Sequence, residues 1–270
     1  MNTITSTQNP MIKEVKKLIS QRKHRDKTGK FVLEGLRLVQ DAMAGGAQIE
    51  TVFVSRDMAQ KQKADYILGD AVMKEICDTK TPQGIVAIAQ KPVCTLQDIL
   101  ARDGPIVFCD AVADPGNLGA IIRTADAAGA SGVIIGQNCA DVYSPKTIRC
   151  TMASVFNLPV YITDHNEETF DIVKASGTTV YAAALDGAED CFSQDFRGSC
   201  MFVLGNEANG VSDISLTYAD KRVKIPMMGK AESLNVAAAG AVLLYEAVRQ
   251  REQKNRKYCI KRYIIYKGHV

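Results

Sequence analysis

The chain reads as an α/β protein. A small N-terminal α/β domain over residues 1–95 precedes a C-terminal parallel-sheet domain over 96–250, and a basic tail spans 251–270. Three observations predict this. From residue 106 onward, short runs that are apolar at nearly every position alternate with stretches of helical spacing, as strands covered on both faces do. Before residue 90 the alternation comes in shorter pieces, and Pro92 with residues 96–104 separates the two rhythms. A length of 270 residues, 46% hydrophobic and 23% charged, is globular composition, with chain enough for one large or two smaller cores without disulfides.

In order, Asn9 can cap a first helix and Pro10 suits its first position. Met11, Val15, Leu18 and Ile19 make its apolar stripe, while Lys13, Lys16 and Lys17 face elsewhere. A basic run over 22–30 follows. Then come a strand at 31–33, a helix near 35–44, a strand at 51–54, a helix near 57–64 and a strand at 84–89. In the second domain the strands are 106–109, 132–135, 160–162, 179–184, 201–204 and 223–225, with helices near 117–129, 145–154, 166–175 and 234–250. The tail is basic over 254–261 and apolar over 263–266. It reads as a poorly ordered terminus rather than an extra strand or a nucleic-acid contact.

Net charge is only +3, but residues 1–100 carry +4, residues 101–248 carry −8 and residues 249–270 carry +7. An acidic body between basic ends points to a polyanionic partner. The first 30 residues hold eight Lys or Arg against Glu14 and Asp26. Lys13, Lys16, Lys17, Arg22, Lys23, Arg25 and Lys27 read either as a solvated face or as a grip on a phosphate backbone, strengthened by counterion release.

Other classes are excluded. No Cys-x-x-Cys pair occurs among the eight cysteines, most of which lie in apolar stretches and read as buried thiols. The three histidines, His24, His165 and His269, are far apart, which disfavours a His triad or metal site. Neither a P-loop nor a Gly-x-Gly-x-x-Gly fingerprint is present. No apolar run is long enough to span a bilayer, and the first residues lack a signal-peptide layout, so the expectation is a cytoplasmic protein.

Three loops carry candidate chemistry. The first, Asp114-Pro115-Gly116-Asn117-Leu118-Gly119, follows a strand and opens a helix, where open α/β sheets bind ligands. A Pro-Gly turn with an Asn cap explains it except for Arg123, a long cation in a small, apolar helix that suggests anion recognition. The second, Leu204-Gly205-Asn206-Glu207-Ala208-Asn209-Gly210, ends a strand in glycine and a carboxylate; alone it is an ordinary turn. The third runs from Ile225 through Met227 and Lys230 to Ser233, Leu234 and Asn235, and enters a helix that Ser233 can cap.

Together, in this order and spacing, residues 110–129, 204–210 and 225–240 closely resemble the three motifs of the SpoU (TrmH) family, RNA 2′-O-ribose methyltransferases of the SPOUT class. The match spans residues 105–250. Residues 1–90 are similar to the RNA substrate-binding domain that precedes the catalytic domain in many members, through Phe31-Val32-Leu33-Glu34-Gly35-Leu36-Arg37-Leu38-Val39 and Thr81-Pro82-Gln83-Gly84. That adds Arg37 to the candidate RNA contacts.

The resemblance implies a sheet with a deep trefoil knot, which no periodicity reveals because knots are rare. It implies S-adenosylmethionine bent against Ala183, Ala184 and Leu185, then Leu204, Gly205 and Asn206, then Ile225, Met227 and Leu234. It implies that Asn117, Arg123, Glu207, Ser233 and Asn235 are the catalytic set, with Arg123 on the phosphate beside the target ribose. The general base stays open, since arginine is a poor base unless strongly perturbed. Some members carry Ser where this chain has Ala237, so a third hydroxyl role is absent. A homodimer is implied, with the helix near 234–250 as a candidate interface, and no metal. The substrate implied is rRNA, most often that of the large subunit. Two rivals are a non-catalytic RNA-binding assembly factor on the same scaffold and a small-molecule nucleotide enzyme; the intact motif residues disfavour the first and the missing glycine fingerprint the second.

Overall fold

A computed structural model describes residues 2–77, 79 and 82–254. The tail beyond 254, with the features at 254–261 and 263–266 mostly within it, and Thr81 of the second N-terminal motif lie outside the described residues.

The N-terminal part contains β1 (Asn2–Ile4), α1 (Pro10–Ser20), α2 (Arg22–Thr28), β2 (Lys30–Glu34), α3 (Leu36–Ala44), β3 (Ile49–Ser55), β4 (Tyr66–Leu68), α4 (Asp70–Ile76) and β5 (Ile85–Gln90). Asn9 caps α1 by accepting the Met11 N–H at 2.9 Å, with Pro10 first in the helix. The face it buries is Ile12, Val15 and Leu18; Met11 and Ile19 are only partly covered. The basic run forms a helix of its own, α2, ended by Gly29 at φ +67°. Having no apolar stripe, α2 gave no periodic signal.

The five strands form a mixed sheet in the order β1-β4-β3-β5-β2. The helix expected near 57–64 is a single 3-10 turn, Met58–Gln60. Asp65 decides the path that follows: its N–H donates to the Val52 carbonyl at 2.9 Å, and its carboxylate accepts the Val52 N–H at 2.8 Å. These bonds draw the chain alongside β3, which β4 then joins in parallel.

The C-terminal part runs through α5 (Leu96–Leu100), β6 (Ile106–Cys109), α6 (Pro115–Ala127), β7 (Gly132–Ile135), α7 (Pro145–Thr151), β8 (Val160–Ile162), α8 (Asn166–Ala175), β9 (Thr179–Ala183), β10 (Glu189–Asp190), β11 (Cys200–Leu204), α9 (Asp213–Tyr218), β12 (Lys221–Lys224) and α10 (Val236–Lys254). Its seven strands are all parallel, in the order β10-β12-β9-β11-β6-β7-β8. Every residue of β6, β7 and β11 is buried, which is why they read as continuous apolar runs. The chain leaves β6 in one direction for β7 and β8, then crosses to the other side for β9 and β11. The order therefore reverses at β6–β11, the position at whose carboxyl ends such sheets bind ligands.

One apolar core joins the two parts. Phe31, Leu33, Leu38 and Val39 belong to the same buried cluster as Ile148, Val155 and one face of β6 and β11, namely Val107, Cys109, Cys200, Phe202 and Leu204. The Phe31 ring lies 4.9 Å from that of Tyr143 and 5.9 Å from that of Phe156. Arg25 is 4% exposed. Its Nε and Nη2 donate to Asp141 Oδ2 at 2.9 and 2.5 Å, and its Nη1 donates to the carbonyls of Leu18 and Ile19 at 2.6 and 3.0 Å. Arg25 therefore cannot join a phosphate grip, as its place in the basic run suggested. It closes the last turn of α1 and bridges to the loop before α7.

Candidate active site

Three loops meet at the carboxyl ends of β6, β11 and β12. The first leaves β6 at Asp110, whose carboxylate is buried and accepts the Ser212 N–H at 2.7 Å. Ala111 follows at φ +55°, a conformation that costs a non-glycine residue and persists only where its surroundings hold it. Its carbonyl accepts from Asn206 Nδ2 at 2.8 Å, and Asn206 Oδ1 accepts the N–H groups of Ala208 and Asn209 at 3.0 and 3.1 Å. Asn206 thus ties the first loop to the second. Gly205 permits the second loop's tight return: a Cβ there would meet the Gly210 carbonyl carbon at 2.2 Å and Val211 N at 2.3 Å.

The third loop enters α10 through Asn235. Its Oδ1 accepts the N–H groups of Ala237 and Ala238 at 2.9 and 3.4 Å. Ser233, expected to cap this helix, does not, because the helix begins three residues later, at Val236. Ser233 is exposed instead and faces the cavity described next.

The second and third loops, with the chain leaving β9 at residues 183–186, line a cavity of about 720 Å³. All nine residues assigned to the cofactor line it: Ala183, Ala184, Leu185, Leu204, Gly205, Asn206, Ile225, Met227 and Leu234. Glu207, Ser233 and Asn235 of the catalytic set line it too. The walls are mainly apolar, with polar groups and backbone at the edges, as a nucleoside pocket requires. Asp186, Arg222, Lys224 and Glu232 also reach it. None of the four stands out in the sequence: Arg222 and Lys224 flank the apolar Val223 of β12, and Asp186 and Glu232 lie in loops.

At the rim, three side chains form one hydrogen-bonded relay. Asn235 Nδ2 donates to Asn117 Oδ1 at 2.9 Å, and Asn117 Nδ2 donates to Glu207 Oε1 at 2.8 Å. The Glu207 carboxylate also accepts the N–H groups of Ala113 at 3.0 Å and Asp114 at 3.1 Å. Partial burial pushes this carboxyl up, but the Asn117 amide and the backbone N–H groups outweigh it and hold it below the usual glutamate value. Glu207 is therefore ionised at neutral pH and can only accept. That fixes both asparagine amides: Asn117 must turn its NH₂ to Glu207 and its oxygen to Asn235, and Asn235 is left its oxygen for the start of α10. The relay locks all three loops into one register.

Asp114 caps α6 by accepting the Asn117 N–H at 2.9 Å. Its second oxygen accepts from Lys146 Nζ at 3.0 Å, and these two bonds, the lysine first, hold its carboxyl below the ordinary aspartate value. The sequence reads an Asn as the cap of this loop rather than Asp114, which opens it, and Ser144-Pro145-Lys146 reads as an ordinary helix start.

Arg123 is not part of this cluster. It is exposed two turns along α6, outside the cavity lining, and makes no ion pair among the described residues. Lys13, Lys17, Arg22, Lys23, Lys27 and Arg37 are exposed on the N-terminal part, and Lys16 is half-buried and paired with Glu75. Arg22 lies 3.7 Å from Asp26 and Arg37 3.6 Å from Asp41, weak surface pairs that leave both cations open to a partner. Among the described residues no cluster of His, Cys, Asp or Glu is placed to hold a metal. None of their helices is long and apolar enough to cross a membrane.

Residues 104–245 match the SpoU rRNA Methylase family, and residues 9–87 match the MRM3-like substrate binding domain. The chain is 35% identical over 250 residues to the 23S rRNA (guanosine(2553)-2′-O)-methyltransferase RlmP of Bacillus subtilis, covering 91% of this chain and 98% of that protein. It is 33% identical over 263 residues to the 23S rRNA (uridine(2479)-2′-O)-methyltransferase of Streptomyces viridochromogenes, covering 91% and 92%. Among solved structures, the AdoMet-bound rRNA methyltransferase of Sinorhizobium meliloti superposes with a TM-score of 0.83 at 35% identity, covering 92% of this chain and 97% of that one.

Proposed function

The chain belongs to the SpoU rRNA methylase family, and from that premise we propose that it methylates a ribose 2′-hydroxyl of large-subunit ribosomal RNA with S-adenosylmethionine. One observation carries the reading: a single cavity is lined by all nine residues that the motifs assign to the cofactor, and the Asn235–Asn117–Glu207 relay stands at its rim. The pocket suits the cofactor on its own terms. Apolar walls from Leu204, Ile225 and Leu234 fit adenine, and Gly205 lets backbone approach closely. When bound, the cofactor supplies an electrophilic methyl group to the ribose oxygen.

The chain's residues do the rest. Asn117, Glu207 and Asn235 hold the three loops in register. Ser233, exposed beside the cavity, offers a hydroxyl to the substrate. Arg123 binds the phosphate next to the target ribose. Because Arg123 lies outside its own chain's cavity, this role favours a homodimer in which α6 and α10 face a second copy, each Arg123 serving the partner's site. We propose further that residues 1–95 form the RNA-binding domain, through Lys13, Lys16, Lys17, Arg22, Lys23, Lys27 and Arg37, that residues 96–250 form the methyltransferase domain, threaded as a trefoil knot, and that the protein works in the cytoplasm.

The test is methyl transfer from labelled S-adenosylmethionine to unmodified 23S rRNA transcript, with the product mapped by primer extension at low nucleotide concentration. Arg123→Ala should lower transfer roughly 100-fold or more while leaving cofactor affinity nearly intact. Lost cofactor binding with normal chemistry at saturation would overturn that role. Absence of cofactor binding by the wild type would favour a non-catalytic RNA-binding factor.

A further inference from the structure

α7 lies between the two parts of the molecule. On one side Pro145, Ile148 and Arg149 face Ile19, Val32 and Leu38 across the seam with the N-terminal sheet. On the other side α7 packs on α6 so tightly that a Cβ at Gly119 would come within 2.4 Å of the Cys150 Cβ and 2.7 Å of the Thr147 carbonyl oxygen. Ser144 caps it by accepting the Thr147 N–H at 3.3 Å, and the Thr147 hydroxyl donates to the Asp141 carbonyl at 2.8 Å. The backbone of Lys146 is therefore held on both faces and at its N-terminal end.

Two ionised carboxylates, Asp114 and Glu207, flank Asn117, where the substrate reading brings a polyanion. Left alone they would repel it. Of the cations on α6 and α7, Arg123 is exposed outside this cluster and Arg149 pairs with Glu34 across the seam at 4.0 Å. Lys146 remains. Its side chain is 57% exposed, and one of its three donors is used, on Asp114. Because α7 contacts both β2 and α6, a strand held by the N-terminal cations and presented at Asn117 can run past it.

We propose that Lys146 is a substrate-positioning residue: while neutralising Asp114, it hydrogen-bonds a phosphate of the RNA strand as that strand passes from the N-terminal domain to the cavity. This deepens the methyltransferase reading and rests on it. Lys146 works through position and charge, not on the reacting atoms.

The full chain and two variants, Lys146→Gln and Lys146→Arg, are compared for binding to 23S rRNA transcript between 50 and 200 mM salt, for S-adenosylmethionine binding and for thermal unfolding. Lys146→Gln should weaken RNA binding roughly 5- to 10-fold and raise KM for RNA more than it lowers kcat. The slope of log K against log salt should fall by about 0.7–0.9, the share of one phosphate contact. Cofactor affinity and melting temperature should stay at wild-type values, and Lys146→Arg should restore most of the RNA affinity. Wild-type affinity and slope in Lys146→Gln would overturn the proposal. So would a loss that appears equally in cofactor binding and thermal stability, which would make the Asp114 contact purely structural. A wild type that binds and methylates no RNA would instead overturn the methyltransferase reading beneath it.

Discussion

Replacing Arg25 with methionine removes the most enclosed ion pair between the two parts of the molecule. The Arg25 side chain is 5% exposed and that of Asp141 is 12% exposed, so water can do little for the carboxylate left behind. Four hydrogen bonds go with it: two to Asp141 and one each to the carbonyls of Leu18 and Ile19. Breaking one partner of a buried pair costs about 3–5 kcal/mol. For a chain of this size each kcal/mol moves the melting temperature by roughly 2–4 °C, so the transition should fall by about 10 °C. Guanidinium and calorimetric unfolding would measure the loss, and hydrogen exchange on β2 and β5 would show whether the N-terminal sheet opens first. The double variant Arg25→Met, Asp141→Leu should recover most of the stability, because an apolar pair of similar volume leaves no charge stranded. A single variant within 1 kcal/mol of wild type would refute the inference that this contact holds the parts together.

Gly205→Ala should abolish cofactor binding or leave the protein insoluble, since the new Cβ would collide with backbone at Gly210 and Val211 that cannot swing aside; near-normal affinity by calorimetry would contradict the cavity as described. The Glu207 carboxyl is held below the ordinary glutamate value, so the relay's stabilisation is complete above that value and lost as pH falls through the lower folded one. Wild-type cofactor affinity should therefore drop only as pH falls below the ordinary glutamate value, and Glu207→Gln should bind more weakly at all pH values without an acid limb of its own; an unchanged limb in the variant would assign it to another group. Burial pushes the Cys139, Cys191 and Cys200 thiols to about 11 and that of Cys77 to about 12, so they should react with a disulfide reagent at pH 8 more than tenfold slower than a free thiol. Rapid labelling of Cys139 would count against its burial.

What could be read in advance follows from what each residue does locally. β6, β7 and β11 announce themselves because both faces are covered and every position is apolar. Asn9 announces α1 because a cap acts within three residues. By contrast β1 and β4, three residues each, are too short for a period, and the place of β4 beside β3 is set by Asp65 and its bonds to Val52. α2 is a helix whose one buried side chain is Arg25, so no hydrophobic pattern could mark it. At the cavity, the residues supplied by loops were legible as motifs, since glycine, asparagine and a carboxylate at fixed spacing are local features. The relay was not, because Asn117, Glu207 and Asn235 meet only after the chain has crossed the sheet and come back. Ser233 was misplaced as a cap for a related reason: two polar residues precede α10, and only the backbone decides which stands at its threshold.

The shared core also has a consequence for the order in which the protein is made. Phe31, Leu33, Leu38 and Val39 find part of their cover in Tyr143, Ile148, Val155 and Phe156, roughly a hundred residues further on. At about 5–20 residues per second, a ribosome exposes that face on the order of ten seconds before its cover emerges. β6 likewise waits for β11 to close the middle of its sheet. During synthesis the N-terminal sheet therefore carries an open apolar surface, and Arg25 waits equally long for Asp141. A chaperone that recognises nascent apolar surface has its opportunity in that interval, and slowing translation before residue 143 would lengthen it.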